Sequence, residues 1–303
     1  MTETTAEGFA AQLDLDSEVR LTGFMYARAY QSAPAGAWRA PAGVVLLGGP
    51  GAALTAALPW GVIVAAAPLP DRVLECYSMN HHTEGFRTPL SALDAAPSWA
   101  APCVLAMITA GRPGGLRVVI NRELPAETGL LTGAEISCAV SLALRDLYGV
   151  SAKEDGGDPL SVLAWQARAR KILLTGDDGV SHLPWDLATA GLRLVIIEVG
   201  AEGPPDAPAG GDVARAAGLL KTGDLAGLGS LLTAAHVRGE RVLDLALDAA
   251  VARGALGGRA IGRCAVVLAP LAAVPAIRSS VGGALKGVAR RPPRFLTVGA
   301  RRP

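Results

Sequence analysis

Few residues in this 303-residue sequence combine a reactive side chain with a spacing that supports chemistry. His81, His82 and Glu84 stand together, and imidazole and carboxylate groups are standard zinc ligands. Adjacent histidines point in opposite directions on a strand, so they do not converge on one ion. We therefore expect a polar surface hairpin with no metal, and a metal site is the alternative.

The sequence shows no arrangement typical of nucleophilic catalysis. His182 and His236 are isolated, and Ser137 and Cys138 lie within a helical pattern, without a Gly-x-Ser-x-Gly turn or a Cys/His pair. The four cysteines lack the paired spacing of zinc and redox sites, and we expect them to be buried. They stand at positions 76, 103, 138 and 264.

Charge and composition exclude two classes of partner. The 28 Lys and Arg residues almost cancel the 27 Asp and Glu residues, so the chain has no net attraction for nucleic acid or an anionic membrane. The stretch Ala40 to Pro70 has no charge, but its prolines and glycines divide it into short apolar runs, typical of buried strands rather than a membrane span. The N-terminus has no basic start and no apolar core, so we expect a cytoplasmic protein.

The elements that would position a site are strands and helices in irregular order, which predicts an α+β fold. Helical periodicity predicts helices over Thr132–Tyr148, Ala214–Ala235 and Val242–Val251. A Gly- and Pro-rich segment predicts a linker at 201–212 between domains at 1–200 and 213–303. Strands are predicted for six apolar runs: GVVLLGG (43–49), GVIVAAA (61–67), LRVVI (116–120), LRLVIIEVG (192–200), CAVVLAP (264–270) and RFLTVGA (294–300).

Several segments, in order along the chain, resemble the galactokinases of the GHMP superfamily of small-molecule kinases. They are WRAPAGVVLLGG, ALPWGVIVAAA, CAVSLALRDLYG, DLATAGLRLVIIEVG, GDLAGLGSLLTAAH and RGALGGRAIGRCAVVL. The resemblance implies an N-terminal domain of ribosomal-protein-like α+β topology and a C-terminal ferredoxin-like domain. It also implies ATP and Mg as cofactors, with a sugar as the substrate.

The family's phosphate loop, Pro-x-Gly-x-Gly-Leu-Ser-Ser-Ser, corresponds to residues 124–137. Pro125 and Gly129 match it, but Glu127 replaces the first glycine, and Thr132 and Gly133 stand within the former serine run. A carboxylate at short range repels a polyanion such as the triphosphate of ATP. Thr132 and Glu135 also have the spacing of a capping box, in which the helix satisfies its own N-terminal donors instead of presenting them to phosphate.

The family's first motif carries an Arg on a strand and then a turn with Glu, His and Asp for the sugar hydroxyls. The resemblance places Gly43 at the Arg position and Gly49, Pro50, Gly51 and Ala52 across the turn. None of these residues carries a charge. Phosphoryl transfer depends on positioned charge, so this motif does not support galactose phosphorylation.

Two further motifs are altered. Asp158 is the counterpart of the family's catalytic Asp, which positions or deprotonates the sugar hydroxyl, although Gly-Asp-Pro is also an ordinary turn. The glycine-rich third motif is reduced to Gly262 and Arg263 between Ile261 and Cys264.

These changes lead to one hypothesis and two alternatives. The hypothesis is a pseudokinase that binds a small molecule or a protein partner. The first alternative is an active enzyme, either a diverged ATP-dependent kinase or an enzyme with other chemistry, with compensating charges among Asp158, Arg263, Arg259 and Lys171. The second is a regulatory protein that acts through an exposed apolar patch.

Overall fold

The computed structural model describes residues 16–49, 51–81, 85–151, 158–202 and 211–298. Within these ranges the helices are α1 (Ser17–Tyr30), α2 (Ala101–Thr109), α3 (Ala134–Tyr148), α4 (Pro159–Gln166), α5 (Val213–Thr222), α6 (Leu225–Ala234), α7 (Arg241–Val251) and α8 (Val274–Leu285). The strands are β1 (Gly36–Gly49), β2 (Ala52–Leu69), β3 (Val73–Ser78), β4 (Phe86–Pro89), β5 (Gly115–Arg122), β6 (Lys171–Gly176), β7 (Gly179–Pro184), β8 (Leu192–Glu198), β9 (Gly257–Ile261), β10 (Cys264–Pro270) and β11 (Arg294–Val298).

The chain forms two compact units that interleave in sequence. The first unit comprises residues 1–41, 60–124 and 132–165, and the second comprises residues 42–59, 125–131 and 166–303. As a result, β1 and β2 each begin in one unit and end in the other. The domain division predicted from the linker at 201–212 remains a prediction, and residues 203–210 of that segment lie outside the described residues.

The first unit is a sheet with helices on both faces. In it, β3 pairs in parallel with β5, and β4 and the second half of β2 add antiparallel edges. Alternate side chains of a strand point to opposite faces. On β2, Val62 and Val64 share a core with Cys103 of α2 and Ile136 of α3. Ile63, between them, packs with the opposite layer near α1.

The second unit contains an antiparallel sheet in the order β11-β8-β10-β9. Helices α7 and α8 cover one face of it with apolar side chains such as Leu247 and Ile277. A separate hairpin, β6–β7, pairs with the first half of β2 at Ala53–Ala56. This arrangement leaves the start of β6 next to residues 57–59 of β2.

Most of the predicted elements are confirmed. Each of the six predicted strands corresponds to an observed one: β1, β2, β5, β8, β10 and β11. The predicted helices at Thr132–Tyr148 and Val242–Val251 correspond to α3 and α7. The four cysteines are buried, as expected, and none of them forms a disulfide. Within the described ranges, no helix is long and apolar enough to cross a bilayer.

Two predictions of local structure are wrong. The helix predicted for Ala214–Ala235 is two helices, because Gly223 takes a left-handed φ of 76° that ends α5, and Asp224 then caps α6 by accepting a hydrogen bond from the Gly227 N–H. The apolar stretch from Ala40 forms two long strands instead of short runs. Pro59 is tolerated because it lies between the parts of β2 that pair with β6 and with β5.

Candidate functional site

The first part of the predicted phosphate loop, Pro125–Leu131, is a closed turn in the second unit. The Thr128 hydroxyl donates to the Pro125 carbonyl at 2.7 Å and accepts from the Leu130 N–H at 3.3 Å. Gly129 has a left-handed φ of 65°. Glu127 is exposed, and the repulsion of a polyanion expected from its place in the loop remains a prediction.

The third motif packs on this turn. Gly262 and Arg263 form the two-residue connection of the β9–β10 hairpin, with Gly262 at a φ of 61°. The Arg263 N–H donates to the Thr128 carbonyl at 3.0 Å. A Cβ added at Gly262 would lie 2.9 Å from the Gly129 carbonyl oxygen, so only glycine fits this approach. The structure therefore brings together Pro125, Gly129, Gly262 and Arg263 as neighbours in one unit.

The start of α3, in the first unit, satisfies its own donors through Glu135. Gly133 is the N-cap residue at a φ of 98°, and its N–H donates to the Glu135 carboxylate at 3.1 Å. Glu135 is buried, and this burial raises the pKa of its carboxyl group. The predicted capping box is therefore half correct. Glu135 reaches back as expected, but the cap is Gly133 and not Thr132, because the helix begins one residue later.

A pocket of about 460 Å³ opens beside this helix start, entirely within the first unit. Thr132, Gly133 and Asp158, three of the predicted site residues, all line it. Serine hydroxyls, an indole, a thiol and several apolar side chains complete its lining. The other residues are Ala101, Pro102, Leu105, Ala134, Ser137, Cys138, Ser141, Ser161 and Trp165.

Asp158 caps α4. Its Oδ2 accepts hydrogen bonds from the Ser161 N–H at 3.0 Å and the Ser161 hydroxyl at 3.2 Å, and its carbonyl accepts the first helical bond from Val162. This geometry supports the turn alternative for the Gly-Asp-Pro segment. The exposed side chain also lines the pocket, so a catalytic role for Asp158 remains a prediction.

The first motif brings no cation to the described structure at the position expected from the family. Gly43 is buried in the middle of β1. In the turn after β1, Gly51 has a φ of 74°, and a Cβ there would lie 3.1 Å from a carboxylate oxygen of Asp177. Pro50 lies outside the described residues. Asp177 was missed from the sequence, because the Asp-Asp pair in TGDDG has the composition of an ordinary hairpin turn.

The remaining candidate residues either contact neighbouring protein groups or lie at the surface. Arg259 is buried and donates to the Leu46 carbonyl at 3.1 Å, whereas Lys171 is exposed at the start of β6. The His182 ring contacts the Gln166 carbonyl at 2.8 Å. His236 lies 2.7 Å from an Asp244 carboxylate oxygen.

The proposed metal cluster is only partly described. His81 is exposed, and its ring stacks on Trp99 with centroids 6.1 Å apart. His82 and Glu84 lie outside the described residues. Among the described residues, no group of three His, Cys, Asp or Glu side chains could hold a metal ion.

Several pocket residues were missed from the sequence. Ser137 and Ser141 are four positions apart, so they lie on one face of α3, and this spacing was the signal that both could enter one pocket. Ser161 and Trp165 show the same spacing on α4. That these two helices line one pocket follows from tertiary packing, which the local pattern does not contain.

Comparison with known proteins finds similarity over most of the chain. No protein-family model matches it. The galactokinase of Streptomyces coelicolor is 25% identical over 378 aligned positions, which cover 92% of this chain and 97% of that protein. Because the alignment is longer than the 303 residues of this chain, it contains gaps where the relative has additional residues.

Solved structures agree on the fold. The galactokinase of Lactococcus lactis, in complex with galactose, superposes with a TM-score of 0.80 at 17% identity and covers 94% of this chain and 98% of that one. A homoserine kinase from Cytophaga hutchinsonii gives a TM-score of 0.59 at 16% identity, covering 87% of this chain and 94% of that one. The chain is therefore a galactokinase-like protein with the fold of the GHMP small-molecule kinases.

Proposed function

We propose that the protein is a galactokinase-like pseudokinase, which binds a small, hydroxyl-bearing molecule in the first-unit pocket and does not transfer a phosphoryl group to it. The observation that carries this proposal is the bond between the Gly133 N–H and the buried Glu135 carboxylate. A helix N-terminus binds phosphate because its N–H groups are free and its dipole attracts negative charge. Here an internal carboxyl group takes that place.

The charge of the pocket supports the same proposal. Among its described lining residues none is a Lys, Arg or His, and Asp158 is its acidic member. Phosphoryl transfer needs positive charge placed around the transferred group. A pocket with one carboxylate and no cation disfavours a triphosphate, which carries several negative charges.

The remaining lining groups suit a neutral polyol. Thr132, Ser137, Ser141 and Ser161 provide hydroxyls that both donate and accept, and the Trp165 ring provides an apolar surface. A carboxylate with several hydroxyls and an aromatic ring can recognise a molecule that carries many hydroxyl groups on a ring. This lining supports a sugar or a related polyol as the ligand class.

An ATP-dependent sugar kinase is the second candidate. It is favoured by the similarity to galactokinase over nearly the whole chain. It is also favoured by Asp158, which lines the same pocket as Thr132 and Gly133 of the phosphate loop. In that candidate, Asp158 would deprotonate the sugar hydroxyl, and Mg with ATP would supply the phosphoryl group and the missing positive charge.

Thermal unfolding with added ligand distinguishes the pseudokinase from the ATP-dependent sugar kinase. A ligand that binds only the folded protein raises the unfolding midpoint by mass action. We expect a saturable rise with D-galactose or another neutral monosaccharide, no rise with millimolar Mg-ATP, and no sugar phosphate in a coupled assay. A rise with Mg-ATP together with phosphorylated product would refute the pseudokinase proposal and establish the kinase.

A blocking variant localises the binding. Ser137→Leu places a larger side chain in the pocket and should remove the monosaccharide effect. Ser230→Leu is the matched control, because Ser230 is exposed on α6 in the second unit. Equal effects of the two variants on sugar binding would contradict the assignment of the pocket.

We also infer where the protein acts. The four cysteines are buried and form no disulfide, which fits a reducing compartment, and we place the protein in the cytoplasm. The near-zero net charge gives no support for nucleic acid or an anionic membrane as a partner.

A further inference from the structure

A second pocket, of about 300 Å³, lies within the second unit at the start of β6. Its size is at the lower end of the range for small-molecule sites, about 300 to 1,000 Å³. Three short segments, at 57–59, 167–171 and 185–188, provide its walls together with Val298. None of the motifs discussed above accounts for it.

Positive charge is concentrated on one wall. Arg168, Arg170 and Lys171 line the pocket, with Asp186 as the acidic residue among the described lining. Asp186 lies 3.6 Å from Arg170 and also accepts from the Thr189 N–H and hydroxyl. Within the described part of the chain, Arg168 and Lys171 form no ion pair. Two cations therefore face the pocket without compensation.

An aromatic ring and aliphatic side chains form the other wall. Trp185 and Leu187 are largely buried and lie beside Leu58 and Pro59 of β2. The Trp185 backbone N–H donates to the Arg170 carbonyl at 2.9 Å. This bond holds the Trp185 backbone next to the cationic segment, residues 168–171.

The cationic segment is held in an unusual conformation. Arg170 has a φ of 58°, in the left-handed region that non-glycine residues rarely adopt. The Lys171 N–H donates to the Arg168 carbonyl at 3.2 Å, which closes the segment into a turn. Such backbone conformations persist only where the surroundings enforce them, and they are frequent at binding sites.

We propose that this pocket binds a small organic anion. Its phosphate or carboxylate group would contact Arg168 and Lys171, and its planar or apolar body would contact Trp185 and Leu187. Guanidinium and ammonium groups both bind these anions through charge-assisted hydrogen bonds. The site is independent of the proposed function, because it lies in the other unit and its lining shares no residue with the first pocket.

Calorimetric titration tests the site with phenyl phosphate, benzoate and the neutral benzyl alcohol. We expect one saturable site for at least one anion and no saturable binding of the alcohol. The anion that binds more tightly identifies the preferred acidic group. Arg168→Gln with Lys171→Gln should weaken binding by about tenfold or more, because two charge-assisted contacts with the anion are removed.

The matched control removes two charges elsewhere in the same unit. Lys221 and Arg253 are exposed and do not line the pocket, so Lys221→Gln with Arg253→Gln should leave anion affinity unchanged. The proposal is overturned if neither anion binds saturably, if the alcohol binds as well as the anions, or if both double variants weaken binding equally. All four substituted residues are exposed, so the fold should persist in both variants.

Discussion

Substitution of Asp158 distinguishes a helix cap from a catalytic base. Asp158→Ala removes the acceptor of the Ser161 N–H and hydroxyl at the start of α4. Losing an Asp cap costs about 1 kcal/mol. For a unit of this size, that cost lowers the unfolding midpoint by about 3 °C. Asp158→Asn keeps a side-chain oxygen at the same place, and asparagine caps helices as well as aspartate does, so its midpoint should match that of the wild type.

The assay is thermal unfolding by circular dichroism, with Asp212→Ala as the matched control. Asp212 caps α5 through the Arg215 N–H at 2.8 Å and does not line the first-unit pocket. Both alanine variants should lose similar stability, but only Asp158→Ala should also weaken monosaccharide binding. An unchanged midpoint for Asp158→Ala would refute the cap. Turnover in the wild type that Asp158→Asn abolishes without a stability change would establish Asp158 as a catalytic base.

Two further predictions concern the start of α3. Burial raises the pKa of Glu135 above its ordinary 4.5, so its contribution to stability is complete below that pH and is lost as pH rises through the raised pKa. Glu135→Gln should therefore match the wild type near pH 4 and exceed it at pH 8 in thermal unfolding, and parallel pH profiles would contradict this. Gly133→Ala combines a left-handed φ with a Cβ that would lie 2.7 Å from the Pro102 Cγ. Gly149→Ala is the control, because its Cβ meets nothing within 4 Å at a φ of 66°, and it should lose about 1 kcal/mol of stability. Urea unfolding should therefore show a clearly larger loss for Gly133→Ala than for Gly149→Ala. Equal losses would show that Pro102 moves aside.

The strands with the longest apolar runs were predictable, and those with a mixed pattern were not. Leu192–Glu198 and Cys264–Pro270 are almost continuously apolar because both faces of these strands are buried. By contrast, β7 is mostly exposed, so its sequence lacks an apolar run and was not assigned. The break between α5 and α6 was missed because the apolar period continues through Gly223.

The candidate site was likewise only partly predictable from the sequence. Its local features were visible in the sequence, including the reach of Glu135 back to the helix start and the turn at Asp158. The set of residues that line the pocket was not visible in the sequence. Whether Ser137, Ser161 and Trp165 share one pocket depends on how two helices pack, and the sequence periodicity within each helix does not specify that packing.

The interleaving of the two units limits how the chain can fold and be divided. Residues 42–59 and 125–131 belong to the second unit, although the first-unit segments 60–124 and 132–165 interrupt the chain between them and its body at 166–303. A cut after residue 165 keeps the first unit complete but removes residues 42–59 and 125–131 from the second, so no single cut of the backbone yields complete copies of both units. During synthesis the first unit has to wait for residue 165, and the second has to wait for the last strand. Such long loop closures slow folding, and apolar strands stay exposed until they are made. We therefore expect truncated fragments of this protein to aggregate, even where each fragment contains whole helices and strands.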